Sequence, residues 1–159
     1  MNATGREQFI GVVSDTHGLV RPEAAAALRG ASTILHAGDI GSVDVVRQLE
    51  AIAPVIAIRG NIDTGAWARV FPATNLVQIE NIYFYIIHDV KELDIDPKAA
   101  GVNIIISGHS HRPKIECRDG ITFLNPGSCG PRRFSLPVSL ARIWLTDNRP
   151  VPELVDLQD

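Results

Sequence analysis

The chain has 159 residues, 45% of them hydrophobic and 21% charged, with a formal net charge of −3. That length builds one well-buried core and falls short of two, so a single domain over residues 1–159 is expected. No run of Lys and Arg offers the footprint of a protein that grips long nucleic acid, and no apolar stretch approaches the roughly 20 residues that cross a bilayer.

Residues 1–8 are polar and carry no export signal, and Cys117 and Cys129 stand apart without a CxxC pattern. A cytoplasmic chain with reduced thiols is expected. Residues 9–14 are a short apolar run ending in a polar loop, which suits a strand buried on both faces. Pro22 then opens a helix over residues 23–29, with Gly30 behind it. The unit repeats: a strand at residues 33–36, a loop at 37–41, and a helix that Ser42 caps and that runs to about residue 51. Residues 54–59 read as a third strand, closed by the loop 60–65. Alternating strands and helices of this length argue for a parallel sheet.

After Pro72 the texture changes. Residues 75–80 and 82–87 are strand-like and join at Asn81, and a short helix is predicted over 97–100. Residues 102–107, 114–117, 121–124, 138–145 and 153–157 read as further strands. The Pro- and Gly-rich stretch 125–137 reads as a long loop with a function, ordered by whatever holds it. The predicted class is α/β, with two packed sheets flanked by helices.

Polar residues recur at the ends of these strands: Asp15 and His17 after the first, Asp39 after the second, Asn61 after the third, His88 after residues 82–87, and His109 and His111 after residues 102–107. In open α/β sheets, loops beyond the carboxyl ends of the strands converge on one crevice. Carboxylates, imidazoles and a carboxamide, with no thiolate among them, suit Mn²⁺, Fe, Zn²⁺, Ni²⁺ or Mg²⁺. Seven donors exceed what one ion uses while keeping a position open for water, so two ions are expected. Each residue has a plainer reading alone: Asp15 as a helix cap, Asp39 as a turn residue, Asn61 as a left-handed turn residue, His88 as a satisfied histidine. The pair in Gly108-His-Ser-His111 is harder to explain that way, since both imidazoles need partners.

The motifs Ser14-Asp-Thr-His-Gly18, His36-Ala-Gly-Asp39, Arg59-Gly-Asn-Ile-Asp63, His88, Gly108-His-Ser-His111 and Asn125-Pro-Gly-Ser128 occur in the order found in the calcineurin-like metallophosphoesterase superfamily. Within it, the chain resembles small bacterial and archaeal phosphodiesterases of the YfcE type. The resemblance implies a four-layer α-β-β-α sandwich of two mixed sheets. It implies one ion on Asp15, His17 and His111, another on Asn61, His88 and His109, and Asp39 bridging both. A hydroxide between two divalent ions, with Mn²⁺ as the first choice, is implied to attack phosphorus in line, with Asp39, Asn61 and His109 at the reacting centre.

Two positions depart from the resemblance. Many relatives carry a histidine after Gly-Asn that protonates the leaving oxygen, where this chain has Ile62. Losing a positioned acid removes a factor of roughly 10² to 10⁴, which favours a diester or an acidic leaving group over an alkyl monoester. Relatives often have glycine at Asp89. That carboxylate either orients His88, binds metal, or makes a turn hydrogen bond facing solvent. Asp63 either fixes an imidazole tautomer one step behind the ligands or closes the Asn61 turn. His36, within its strand, reads as structural. Asn61, Ser128 and Arg132 are the expected contacts to substrate; Ser128 alternatively serves the metal loops or a plain turn, and Arg132 a solvated loop.

The expected partner is a small phosphodiester or phosphoester, with no long nucleic acid and no membrane. Exposed sheet edges leave a homodimer or homotetramer open. The alternative function is a non-catalytic metal-binding scaffold of the same fold, like the retromer subunit of this superfamily. A nuclease is disfavoured because no residues remain for a DNA-gripping domain.

Overall fold

The structure is a computed structural model, and it describes residues 8–133, 135–147 and 149–157. The polar start of the chain, residues 1–7, lies outside them.

Two mixed five-stranded sheets carry the fold. In the first, β1 (Gln8–Val13), β2 (Thr33–His36) and β3 (Val55–Ala57) run parallel. On the other side of β1, β9 (Ser139–Thr146) and then β10 (Arg149–Asp156) pair antiparallel. The second sheet contains β4 (Thr74–Ile79), β5 (Ile82–Ile87), β6 (Ile104–Ile106), β7 (Lys114–Arg118) and β8 (Ile121–Asn125), in the order β4-β5-β6-β8-β7. Here β5, β6 and β8 run parallel, and β4 and β7 close the edges antiparallel.

The period-2 alternation of side chains decides what each face buries. Ile10 and Val12 of β1, Leu35 of β2 and Ile143 of β9 meet Phe84, Ile86, Ile104 and Ile106 of the second sheet in a core between the sheets. The opposite face of the first sheet, with Val13, Ile34 and Leu140, is covered by α1 (Pro22–Leu28) and α2 (Val43–Glu50). Periodicity explains the helices' seat: α2 buries Val45, Val46 and Leu49, and α1 buries Ala24 and Leu28. Ser42 occupies the predicted cap position of α2, but its hydroxyl makes no capping bond.

The fourth layer is thin. Tyr85, Ile87, Val102, Ile105 and Ile121 on the outer face of the second sheet are covered by Val90, Leu93 and Ile95, which belong to an irregular segment. It begins with a 3-10 turn at Val90–Glu92, which the sequence did not suggest, as it did not suggest the one at Ala66–Val70. The helix predicted over residues 97–100 is a hydrogen-bonded turn. The Asp96 carboxylate caps the amides of Lys98 and Ala99, and Gly101 (φ 77°) reverses the chain at once. Four residues cannot repay the cost of nucleating a helix. Among the described residues no helix is long and apolar enough to cross a membrane.

The placement of chemistry follows from this topology. The parallel strands β1, β2 and β3 of one sheet and β5, β6 and β8 of the other all end at the same side of the sandwich.

Candidate metal centre

Past the end of β1 and β2 the chains continue a ladder of their own. Asp15 N–H donates to the Gly38 carbonyl (2.9 Å), His17 N–H to that of Asp39 (3.0 Å) and Gly18 N–H to that of Ile40 (2.8 Å). Gly108 N–H binds the His88 carbonyl (2.9 Å) across the second sheet, and His109 N–H reaches Asp15 Oδ2 (3.0 Å), joining the sheets. Two glycines make this closeness possible. A Cβ on Gly60 would collide with the Asp39 carboxylate and amide, and one on Gly108 with the side chains of Ser14 and Asp15.

Eight described non-glycine residues have positive φ. Five of them are Asp15 (56°), His17 (47°), Asp39 (56°), His109 (71°) and His111 (61°). The other three, Glu80, Asp119 and Asp147, turn hairpins. A side chain in the left-handed region costs about 1 kcal/mol or more against the usual backbone, and such strain gathers where function requires a particular aim.

The aim is visible in the carboxylates, each of which has one oxygen tied and one presented. Asp15 Oδ2 accepts from Ser14 Oγ (2.7 Å) and His109 N–H, while Oδ1 lies 3.7 Å from His17 Nε2, 3.8 Å from His88 Nε2 and 3.4 Å from His111 Nε2. Asp39 Oδ1 accepts from Ile62 N–H (3.1 Å), and its Oδ2 lies 3.3 Å from His88 Nε2 and 3.7 Å from His17 Nε2. The imidazoles pair, His17 with His111 (ring centroids 5.3 Å apart) and His88 with His109 (5.2 Å). Nδ1 of His88 lies 2.7 Å from the Ala37 carbonyl, a bond only an N–H can make, so in the neutral imidazole the lone pair is on Nε2, on the side of Asp39.

Burial alone would raise the Asp15 carboxyl, but the imidazoles of His111 and His17, the Ser14 hydroxyl and His88 outweigh it and hold the group far below the usual carboxylate range. Asp39 is lowered in the same way, burial being outweighed by His88 and the Ile62 amide. For His88, burial opposes charge, and the carboxylates of Asp39 and Asp15 win and raise its pKa.

These residues fit a metal. Asp15 Oδ1, His17 Nε2, His88 Nε2 and His111 Nδ1 are buried without hydrogen-bond partners among the described residues, a loss of about 1–3 kcal/mol each unless a cation takes their lone pairs. Ligand atoms of Asp15, His17 and His111 lie within 4.8 Å of one another, as do those of Asp15, Asp39 and His88. His109 belongs to neither group. Asn61 and His109 border a cavity of about 370 Å³ that His88, Tyr85, Glu92 and Asp94 also line.

Supporting residues take roles that differ in part from those read in the sequence. Asp63, 3% exposed, touches no imidazole. It accepts from the amides of Ile40, Gly41 and Gly60 (each 2.9 Å) and clamps the Asp39 loop to the Asn61 loop. Ser128 does not face the cavity. Its buried hydroxyl donates to the Asp15 carbonyl (2.9 Å) and braces the ligand loop from beneath. Arg132 is likewise not among the cavity's lining residues, and its Nη1 donates to the Leu136 carbonyl (3.4 Å) within its own loop. Asp89 makes the turn bond, with Oδ1 accepting from Lys91 N–H (3.1 Å), while Oδ2 faces His109 Nε2 at 3.9 Å. His36 is fully buried and structural: Nδ1 accepts from Gly38 N–H, Nε2 meets Thr16 Oγ1 (3.0 Å), and burial lowers its pKa to about 4.

A family model described as the calcineurin-like phosphoesterase superfamily domain matches residues 9–148. The chain belongs to that superfamily. A probable metallophosphoesterase of Methanothermobacter thermautotrophicus is 38% identical over 141 residues, 81% of each chain. A phosphodiesterase of Methanocaldococcus jannaschii is 29% identical over 139 residues, 76% of this chain and 83% of that one. Among solved structures, an archaeal phosphodiesterase superposes with a TM-score of 0.79 at 24% identity, covering 94% of this chain and all of that one. Vps29 of Entamoeba histolytica complexed with zinc superposes at 0.69 and 22% identity, covering 95% of this chain and 100% of that one. These structural matches establish the shared sandwich fold. Phosphoesterases of this superfamily use divalent metals, and the Asp and His groups above are where this chain could hold them.

Proposed function

We propose that the chain hydrolyses phosphodiesters at a centre for two divalent ions, with Mn²⁺ the first choice and Zn²⁺, Ni²⁺, Fe and Mg²⁺ within reach of the same donors. The reading rests on Asp15 Oδ1, which is buried, unpartnered, and faces three imidazoles from three loops. We assign one ion to Asp15, His17 and His111, the other to Asn61, His88 and His109, and Asp39 to both. The position of Asp39 Oδ2 between His17 and His88, one imidazole of each pair, favours that last role. Bound there, the ions supply an acidified water and neutralise charge on the phosphoryl oxygens.

The chain's own contribution is to hold the frame before substrate arrives. Backbone amides fix one oxygen of each carboxylate, the Ala37 carbonyl fixes the His88 tautomer, and Asn61 and His109 border the open cavity where an ester can lie. Water adds to phosphorus in line with the departing alcohol, the P–O bond to that alcohol breaks, and the alcohol leaves with a proton from the water. Ile62 cannot supply that proton, which favours a diester or an acidic leaving group. Two unpaired thiols suit a reducing, cytoplasmic setting.

The test is hydrolysis of bis-p-nitrophenyl phosphate beside p-nitrophenyl phosphate by metal-stripped protein titrated with Mn²⁺, Mg²⁺, Zn²⁺ and Ni²⁺. Metal-restored cleavage that favours the diester, and that vanishes in Asp39→Ala together with metal content, is expected. Folded, metal-loaded protein that cleaves neither ester would overturn the reading in favour of a non-catalytic binding module.

A further inference from the structure

The cavity beside the centre is lined in part by acid. Asp89, Glu92 and Asp94 line it, and neither Glu92 nor Asp94 has an ion pair or a side-chain hydrogen bond among the described residues. The cation of the lining, Arg59, donates from Nη1 to the Phe71 carbonyl. Tyr85, 9% exposed, also lines the cavity, and its hydroxyl has no hydrogen-bond partner among the described residues. Asn61, His88 and His109 line the same space, so the cavity adjoins the candidate metal centre. A volume of about 370 Å³ lies within the range of small-ligand sites.

We infer that this cavity is a subsite for the alkylammonium arm of a phosphodiester, received by the carboxylates of Asp89, Glu92 and Asp94 and by the hydroxyl oxygen of Tyr85. The three carboxylates outnumber the one guanidinium of the lining, Arg59, so the cavity attracts a cation and disfavours a second phosphate. The inference rests on the phosphodiesterase reading, because the phosphate itself must sit at the ions while the arm extends into the cavity.

The decisive comparison uses two esters with one leaving group, p-nitrophenyl phosphocholine and p-nitrophenyl dimethylbutyl phosphate, in which carbon replaces the quaternary nitrogen. The metal-loaded enzyme is expected to show a kcat/KM about tenfold higher for the cationic ester, and E92Q/D94N to bring the ratio within about twofold. Calorimetry with phosphocholine and dimethylbutyl phosphate gives the same comparison without turnover. Equal turnover and equal binding of the pair, or a preference that survives in E92Q/D94N, would overturn the subsite while leaving the phosphodiesterase standing. A binding preference with no turnover of either ester would keep the subsite and remove the hydrolase. Glycerophosphocholine in solution, run against phosphatidylcholine vesicles, tells a soluble diester from a lipid.

Discussion

At one end of the centre Asp15 is fully buried and His111 is 3% exposed, beneath a loop held by Ser128, by the Gly38 and Asp39 carbonyls and by the neighbouring sheet. At the other end the His109 side chain is 48% exposed, Asn61 is exposed, and both open onto the acidic cavity. The first end is set by folding and reaches solvent little. The second is open to solvent. On the proposed assignment, holding and turnover would be divided between a closed and an open set of candidate ligands.

The strongest way to break that division is Asp39→Ala, because Asp39 is the carboxylate assigned to both ions, its Oδ2 lying between His17 and His88. Metal content should fall from two ions per chain to near none, with activity down by about 10³-fold or more, whereas His109→Ala should cost one ion and keep the other. Elemental analysis after gel filtration checks both, and equal losses in the two variants would erase the distinction. Ile62→His supplies a proton donor at the open end alone, so p-nitrophenyl phosphate hydrolysis should rise by about 10²-fold relative to the diester. A ratio that does not move would refute the leaving-group argument.

Asp63→Ala removes the acceptor of three backbone amides and frees the Asp39 loop from the Asn61 loop. A loss of about 3 kcal/mol is expected, or a melting temperature lower by roughly 6–12 °C, with affinity reduced at the Asn61 ion before the His111 ion. A thermal melt and a metal titration measure the two parts. The smallest effect concerns His36, whose pKa is lowered from 6.5 to about 4 by burial. The unfolded chain takes up this proton first, so stability is complete above pH 6.5 and declines as pH falls from 6.5 toward 4. Urea midpoints across that window should fall less steeply in His36→Gln, and parallel slopes would show that His36 does not contribute.

The grouping of Asp15, His17, Asp39, His88 and His111 was legible because each follows a short apolar run, and the end of a buried strand is where a polar residue has least reason to be. Both helices of the first sheet were legible for a related reason, a proline or a cap position ahead of a 3.6-residue period. The clamp by Asp63 was not legible, since its partners Ile40 and Gly41 lie more than 20 residues away and offer only amides, which every residue has. Ser128 was legible in part: its motif announces a turn that serves either the phosphate or the metal loops, and only the packing of β8 beside β6 brings its hydroxyl to the loop of Asp15. The cavity wall escaped notice because Glu92 and Asp94 look like ordinary surface acids until residues 90–101 fold back over Tyr85 and Ile87.

The left-handed backbone at five of the seven proposed ligand positions bears on how such a centre persists. Glycine at any of those places would relax the chain by about 1 kcal/mol while deleting the side chain. The backbone strain at these places is thus offset only by what the side chains do there, so a lineage that kept the sandwich for another purpose would be free to give up these residues before the fold.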